Sequence, residues 1–125
     1  MNLSLNSIIL FVNNVDILKD FYIKFLNLKL SEEIKSEWVL LNAGNCTIGL
    51  HKIGEQYQNS IDNQTETNTK IVFETTDDIS VIRNSLQESG AAIREISKFE
   101  NYDFIFFDGE DPEGNVFQIR QIQSK

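Results

Sequence analysis

One unit of sequence occurs twice in this chain. Ser7-Ile8-Ile9-Leu10-Phe11-Val12, the pair Asn13-Asn14 and an amphipathic stretch ending at Asn27 are answered by a second run. That run is Lys70-Ile71-Val72-Phe73-Glu74-Thr75, the pair Thr76-Asp77 and an amphipathic stretch ending at Gly90. The spacing is 63 residues at three landmarks, 7 to 70, 14 to 77 and 27 to 90. A strand–cap–helix–turn unit repeated at one spacing predicts two similar modules, with a cleft where such modules meet.

Within the first module, residues 7–13 read as a strand rich in branched side chains. Asn14 is placed to cap a helix, and Val15, Leu18, Phe21, Tyr22, Phe25 and Leu26 recur at helical steps. Asn27 tolerates the left-handed conformation that ends a helix. Strands are expected at 28–34, 37–42 and 46–52, the last two joined by a turn at Asn42-Ala43-Gly44-Asn45. Residues 53–68 are polar and read as a linker or flap, with Tyr57 as a loop tyrosine able to close over a ligand. The second module repeats the order: a strand at 70–75, Asp77 as cap, a helix with Ile79, Ile82 and Leu86 on one face, and Gly90 as its stop. Strands near 91–97, 102–108 and 115–122 follow, with Asp111-Pro112-Glu113-Gly114-Asn115 as a turn. The expected fold class is α+β: two βαβββ modules, about 7–52 and 69–122, forming curved mixed sheets around a cavity with helices outside, all in one domain of residues 1–125.

A chain of 125 residues suffices for one well-packed domain. Its formal net charge of -8 argues against nucleic acid or an anionic membrane as partner, since both need clustered Lys and Arg. Cys46 is the single cysteine, so no intrachain disulfide forms, and it reads as a small buried residue. Residues 1–6 lack the features of a signal peptide, and no run of about 18 apolar residues exists to span a membrane. These points together predict a cytoplasmic protein.

Strand parity separates two faces. Ile8, Leu10, Val12, Ile48, Leu50, Ile71, Phe73, Phe117 and Ile119 form an apolar face expected to lie under the helices. The opposite face mixes characters: Ser7, Ile9 and Phe11; Thr47, Gly49 and His51; Lys70, Val72 and Glu74; Val116, Gln118 and Arg120. Trp38 joins this face if its strand has the expected parity. Either the mixed face is merely wet, or its polar groups on apolar walls form a small-molecule site.

These residues resemble the vicinal oxygen chelate superfamily, which includes glyoxalase I, extradiol dioxygenases, fosfomycin-resistance transferases and bleomycin-resistance proteins. The resemblance rests on Val12-Asn13-Asn14 leading to Phe21-Tyr22 and Leu26-Asn27-Leu28, on the Asp111-Pro112-Glu113-Gly114-Asn115 turn, and on Ile48-Gly49-Leu50-His51. It implies that homodimers are common and that metal-dependent members hold a divalent ion at positions matching Ser7, Gly49, Lys70 and Gln118. Of these only Gln118 offers a donor suited to such an ion, so no metal and no cofactor is expected. A displaced site built from His51, Glu74 and Gln118 is the alternative.

Three readings follow. In the first, the chain is a metal-free binder similar to the bleomycin-resistance branch, sequestering an antibiotic or metabolite. His51, Glu74, Gln118 and Arg120 then fix the ligand's orientation, Ile9, Phe11, Val72 and Trp38 supply apolar walls, and Lys70 completes the ligand-binding set. In the second it is a glyoxalase-like lyase, isomerase or dioxygenase, with Glu74 or His51 as base and Arg120 steadying an oxyanion. A cross-strand ion pair between Glu74 and Arg120 is the plainer role for those two. In the third it is a dimeric accessory protein without a small ligand, with exposed Phe104 and Phe106 at the interface.

Overall fold

The computed structural model describes residues 2–54 and 68–122. Most of the expected linker, including Tyr57, lies outside the described residues. The chain divides into two compact units, Met1–Asn63 and Gln64–Lys125. Each carries one helix and one four-stranded mixed sheet, so the α+β class and the βαβββ repeat both hold.

In the first unit, β1 (Ser7–Val12) leads into α1 (Val15–Leu26) and then β2 (Lys29–Ile34), β3 (Trp38–Ala43) and β4 (Cys46–Lys52). The sheet order is β1-β4-β3-β2, with β1 parallel to β4 and the other pairs antiparallel. The intervening helix is what lets β1 and β4 run parallel, since a tight turn cannot join parallel neighbours. Asn14 caps α1 as expected, its side-chain oxygen accepting the Ile17 N–H at 3.0 Å. Asn27 ends the helix in the left-handed region at φ 59°. Gly44, at φ 79°, supplies the positive dihedral for the tight β3–β4 turn.

α1 packs on β3 and β4. It buries Val15, Leu18, Phe21 and Tyr22 on the side of the sheet where Val39, Leu41, Ile48 and Leu50 are buried. Each fully buried aliphatic side chain contributes about 1.5–3 kcal/mol. This is the face that parity assigned to the helix side. Two polar ties hold the β2–β3 hairpin to the helix: Lys19 to Glu33 at 2.9 Å and Ser36 to Asp16 at 2.7 Å.

The second unit repeats the plan with β5 (Ile71–Thr75), α2 (Ile79–Glu88), β6 (Ser97–Lys98), β7 (Phe104–Glu110) and β8 (Val116–Ile122) in the order β5-β8-β7-β6. Its core holds Ile71, Ile79, Leu86, Phe107, Phe117 and Ile119. Gly109 is needed there for packing, because a Cβ would stand 2.8 Å from the Phe117 ring and 3.1 Å from Ile93.

The second unit departs from expectation in two places. The cap of α2 is Asp78, not Asp77: the Asp77 N–H donates to the Thr75 hydroxyl at 2.9 Å, which delays the helix by one residue. The strand expected at 91–97 shrinks to Ser97–Lys98 and a lone bridge between Ile93 and Gly109. Between them, the Arg83 side chain reaches from α2 and donates to the Arg94 carbonyl at 2.8 Å, engaging a group that a continuous ladder would use. The Asp111–Asn115 turn forms as expected, with its first acid built into it. Asp111 is only 4% exposed. Its carboxylate accepts from the backbone N–H groups of Glu113 and Asn115 and from the Asn115 carboxamide.

Candidate functional site

Register places the candidate residues in cross-strand rows on the open face of each sheet, the face away from the helix. Directly paired residues share a face, so the rows follow from strand pairing alone. In the first unit Phe11 pairs with His51 and His51 with Trp38, giving one row of three aromatic rings across β1, β4 and β3. Ile9, Gly49 and Leu40 make the next row, and Ser7, Thr47 and Asn42 the one after. Trp38 therefore has the parity expected of it.

The rings of the first row touch. Phe11 and His51 have centroids 5.4 Å apart with planes inclined at 52°, and Trp38 and His51 are 5.9 Å apart at 67°. Such inclined pairs suit the quadrupoles of the rings. Phe11 is 63% exposed and Ile9 47%, a large apolar offering for one side of a small sheet. The Trp38 indole leans over Gly49: a Cβ there would lie 2.5 Å from Cη2 and 2.9 Å from Cζ3. Glycine at this position is thus what gives the indole its seat, and the indole Nε1 donates to Glu32 at 3.3 Å.

One backbone contact selects the tautomer of the neutral His51 ring. Its Nδ1 lies 2.8 Å from the Lys52 carbonyl oxygen, which can only accept, so Nδ1 carries the hydrogen of the neutral ring. Nε2 is left as an acceptor, with no hydrogen bond among the described residues.

The open face of the second unit is built differently. Glu74, Arg120 and Phe106 form one row, and Val72, Gln118 and Asp108 the next. Lys70 donates to Asp108 Oδ2 at 2.9 Å, and Gln118 Nε2 donates to Asp108 Oδ1 at 3.0 Å. Arg120 returns two N–H groups to Gln118 Oε1, at 3.2 and 2.9 Å, and its guanidinium lies 4.0 Å from the Phe104 ring centroid. Gln118 is only 4% exposed, and every polar atom of its carboxamide is engaged, as burial demands.

The expected ion pair between Glu74 and Arg120 does not form, although the two are paired in register. Arg120 gains more from a charge-assisted fork to Gln118 and an aromatic face than from an exposed carboxylate. Glu74 makes no ion pair among the described residues. Phe104 and Phe106 do not form an exposed apolar strand face. Phe104 is 9% exposed beneath Arg120, Phe99 and Tyr102, and Phe106 stacks on Phe99 at 4.7 Å. Sequence reasoning missed Asp108, the hub of this network. Counting back along β7 from the Asp111–Asn115 turn places it opposite Gln118, so the signal lies in the register.

The model of the Glyoxalase/Bleomycin resistance protein/Dioxygenase superfamily matches residues 4–119. The chain belongs to that superfamily. Among solved structures, an integron cassette protein from the mobile metagenome of V. cholerae is 22% identical, with a TM-score of 0.74 and coverage of 98% of both chains. TnmS3, an antibiotic binding protein from Streptomyces sp. CB03234, is 18% identical with a TM-score of 0.72, covering 98% of this chain and 99% of its own. Lactoylglutathione lyase from Agrobacterium tumefaciens is 14% identical with a TM-score of 0.72, covering 94% of this chain and 92% of its own. At these identities the likeness is one of fold. No curated protein sequence matches the chain. No helix among the described residues is long and apolar enough to cross a membrane.

Some members of the superfamily use a divalent ion, so the fit of this chain's residues to one was tested. Ser7 bonds the Thr47 hydroxyl, Gly49 has no donor and lies under the indole, Lys70 is a cation tied to Asp108, and Gln118 has no uncommitted oxygen. Among the described residues no cluster of three His, Cys, Asp or Glu side chains could hold a metal ion. The displaced set His51, Glu74 and Gln118 meets the same obstacle, because both ends of the Gln118 carboxamide are engaged. These residues do not fit a divalent ion.

Proposed function

We propose that this chain is a small-molecule-binding protein of the glyoxalase/bleomycin resistance type that seats a flat aromatic ligand, an antibiotic or metabolite, without a divalent ion. The observation that carries the reading is the row Phe11–His51–Trp38 on the open face of the first unit, with Gly49 making room for the indole. Three adjoining rings on paired strands offer large contact area at little entropic cost. That an antibiotic-binding protein shares the fold supports the same reading, as does the donor-poor residue set at the positions where related enzymes hold an ion.

The second unit supplies polar groups of fixed orientation, with Lys70, Gln118 and Arg120 held by Asp108 and by one another. In this reading they and Glu74 are the candidate polar contacts of the second unit's own open face. Trp38 is the chain's one tryptophan, so its emission reports on the site directly. The test is a titration of Trp38 fluorescence against a panel of aromatic antibiotics and metabolites, with and without a chelator. Saturable quenching by at least one compound, unchanged by the chelator, is the expected result. Flat responses across the panel, or quenching abolished by the chelator, would overturn the proposal.

A further inference from the structure

We infer that the ligand of the Phe11–His51–Trp38 row is a hydroxy-aromatic compound, one whose flat ring carries an O–H donor at its edge. The inference rests on the reading above and narrows it. Three facts on one face of one unit lead to it. First, the hydrogen of neutral His51 is spent on the Lys52 carbonyl, 2.8 Å from Nδ1, so Nε2 is an acceptor. Second, the neighbouring indole cannot reverse this polarity, since its one N–H is turned to Glu32 at 3.3 Å. Third, His51 stands between Phe11 and Trp38, with centroids 5.4 and 5.9 Å away, so a ring lying against either aromatic lies beside the imidazole.

The hydrogen-bonding requirement of this row is thus one-sided. An aromatic ring without a polar edge stacks but leaves Nε2 stripped of water and unpaired. A ligand edge that only accepts, such as an ether or ester oxygen, meets a lone pair with a lone pair. A phenolic hydroxyl donates to Nε2 while its ring stacks, meeting both demands at once. A single such hydrogen bond is worth about a factor of five in affinity.

The experiment uses a matched pair of probes, 2-naphthol and 2-methoxynaphthalene, titrated by calorimetry against the full chain near neutral pH. They share the ring and differ in the donor. The expected result is that naphthol binds about fivefold more tightly than its methyl ether. In His51→Phe, which keeps a ring but removes the acceptor, that advantage disappears. Because His51 is exposed, the variant is expected to keep its fold, checked by circular dichroism. The wild-type comparison needs no variant. Equal binding of the two probes, or a preference for the ether, overturns the hydroxyl inference and leaves the aromatic site standing. Binding of neither probe, together with a flat antibiotic panel, overturns the aromatic site itself.

Discussion

The two units share a fold and differ on their open faces. Where the first unit has Phe11, His51 and Trp38 in a row, the second has Glu74, Arg120 and Phe106. The middle row of the first unit is Ile9, Gly49 and Leu40, and the corresponding row of the second is Val72, Gln118 and Asp108. One face is apolar and open. The other is a closed electrostatic set in which Lys70, Asp108, Gln118 and Arg120 satisfy one another. Strand order, helix placement and register are common to both, so they cannot be the source of this difference. It comes from the side chains at alternate positions of three strands, which the backbone holds in place but does not choose.

The two faces are expected to differ most at the matched aromatic positions. Trp38 and Phe106 occupy equivalent places, each paired with the penultimate open-face residue of its row. Trp38→Ala is expected to weaken binding of an aromatic ligand by about 2 kcal/mol, roughly thirtyfold, as is usual for a stacking anchor. Phe106→Ala is expected to leave that affinity within about twofold, since the Phe106 ring is already stacked on Phe99. Isothermal titration of both variants decides, and equal losses would erase the distinction between the faces.

Two glycines sharpen it next. Gly109 lies beneath fully buried Phe117, whereas Gly49 lies beneath the half-buried indole of Trp38. Gly109→Ala must push against the core and is expected to cost about 1–3 kcal/mol of stability in urea unfolding. Gly49→Ala displaces a surface ring and is expected to cost less, while shifting Trp38 emission and weakening the ligand. Were Gly49→Ala to leave the emission spectrum untouched, the seat assigned to the indole would be wrong.

The smallest difference lies in the helix caps. α1 starts on the neutral amide of Asn14, and α2 on the carboxylate of Asp78. Hydrogen bonds from the Ser80 hydroxyl and then its backbone N–H hold the Asp78 carboxyl below its usual range. A lowered folded value means that the cap contributes fully above the ordinary carboxylate pKa and is lost as pH falls through the lowered one. Amide exchange at Ser80 is therefore expected to quicken in acid before exchange at Ile17. Simultaneous loss would show that the cap chemistry does not matter.

Much of this was legible in the sequence. The 63-residue repeat, Asn14 as cap, Asn27 in the left-handed region and the parity that puts Trp38 beside His51 all survive in the structure. They depend on local chemistry and on the two-residue period of a strand, both readable one residue at a time. What escaped depends on partners distant in sequence. The Thr75 hydroxyl moved the cap to Asp78, and Arg83 took the Arg94 carbonyl and shortened β6. Asp108 gathered Lys70 and Gln118 into a network whose only trace in the sequence is the β7–β8 register. Likewise, Arg120 chose Gln118 and Phe104 over Glu74, a competition that pairing register alone does not decide.

The central claim is that the aromatic row of the first unit, free of any ion, is where a ligand lands. Isotope-labelled protein in chelator-treated buffer, titrated with an aromatic probe and followed by amide and indole NMR shifts, tests it most directly. Saturable shifts centred on Phe11, His51 and the Trp38 indole are the predicted result. Shifts confined to Lys70, Gln118 and Arg120, or shifts that arise only once a divalent ion is added, would contradict it.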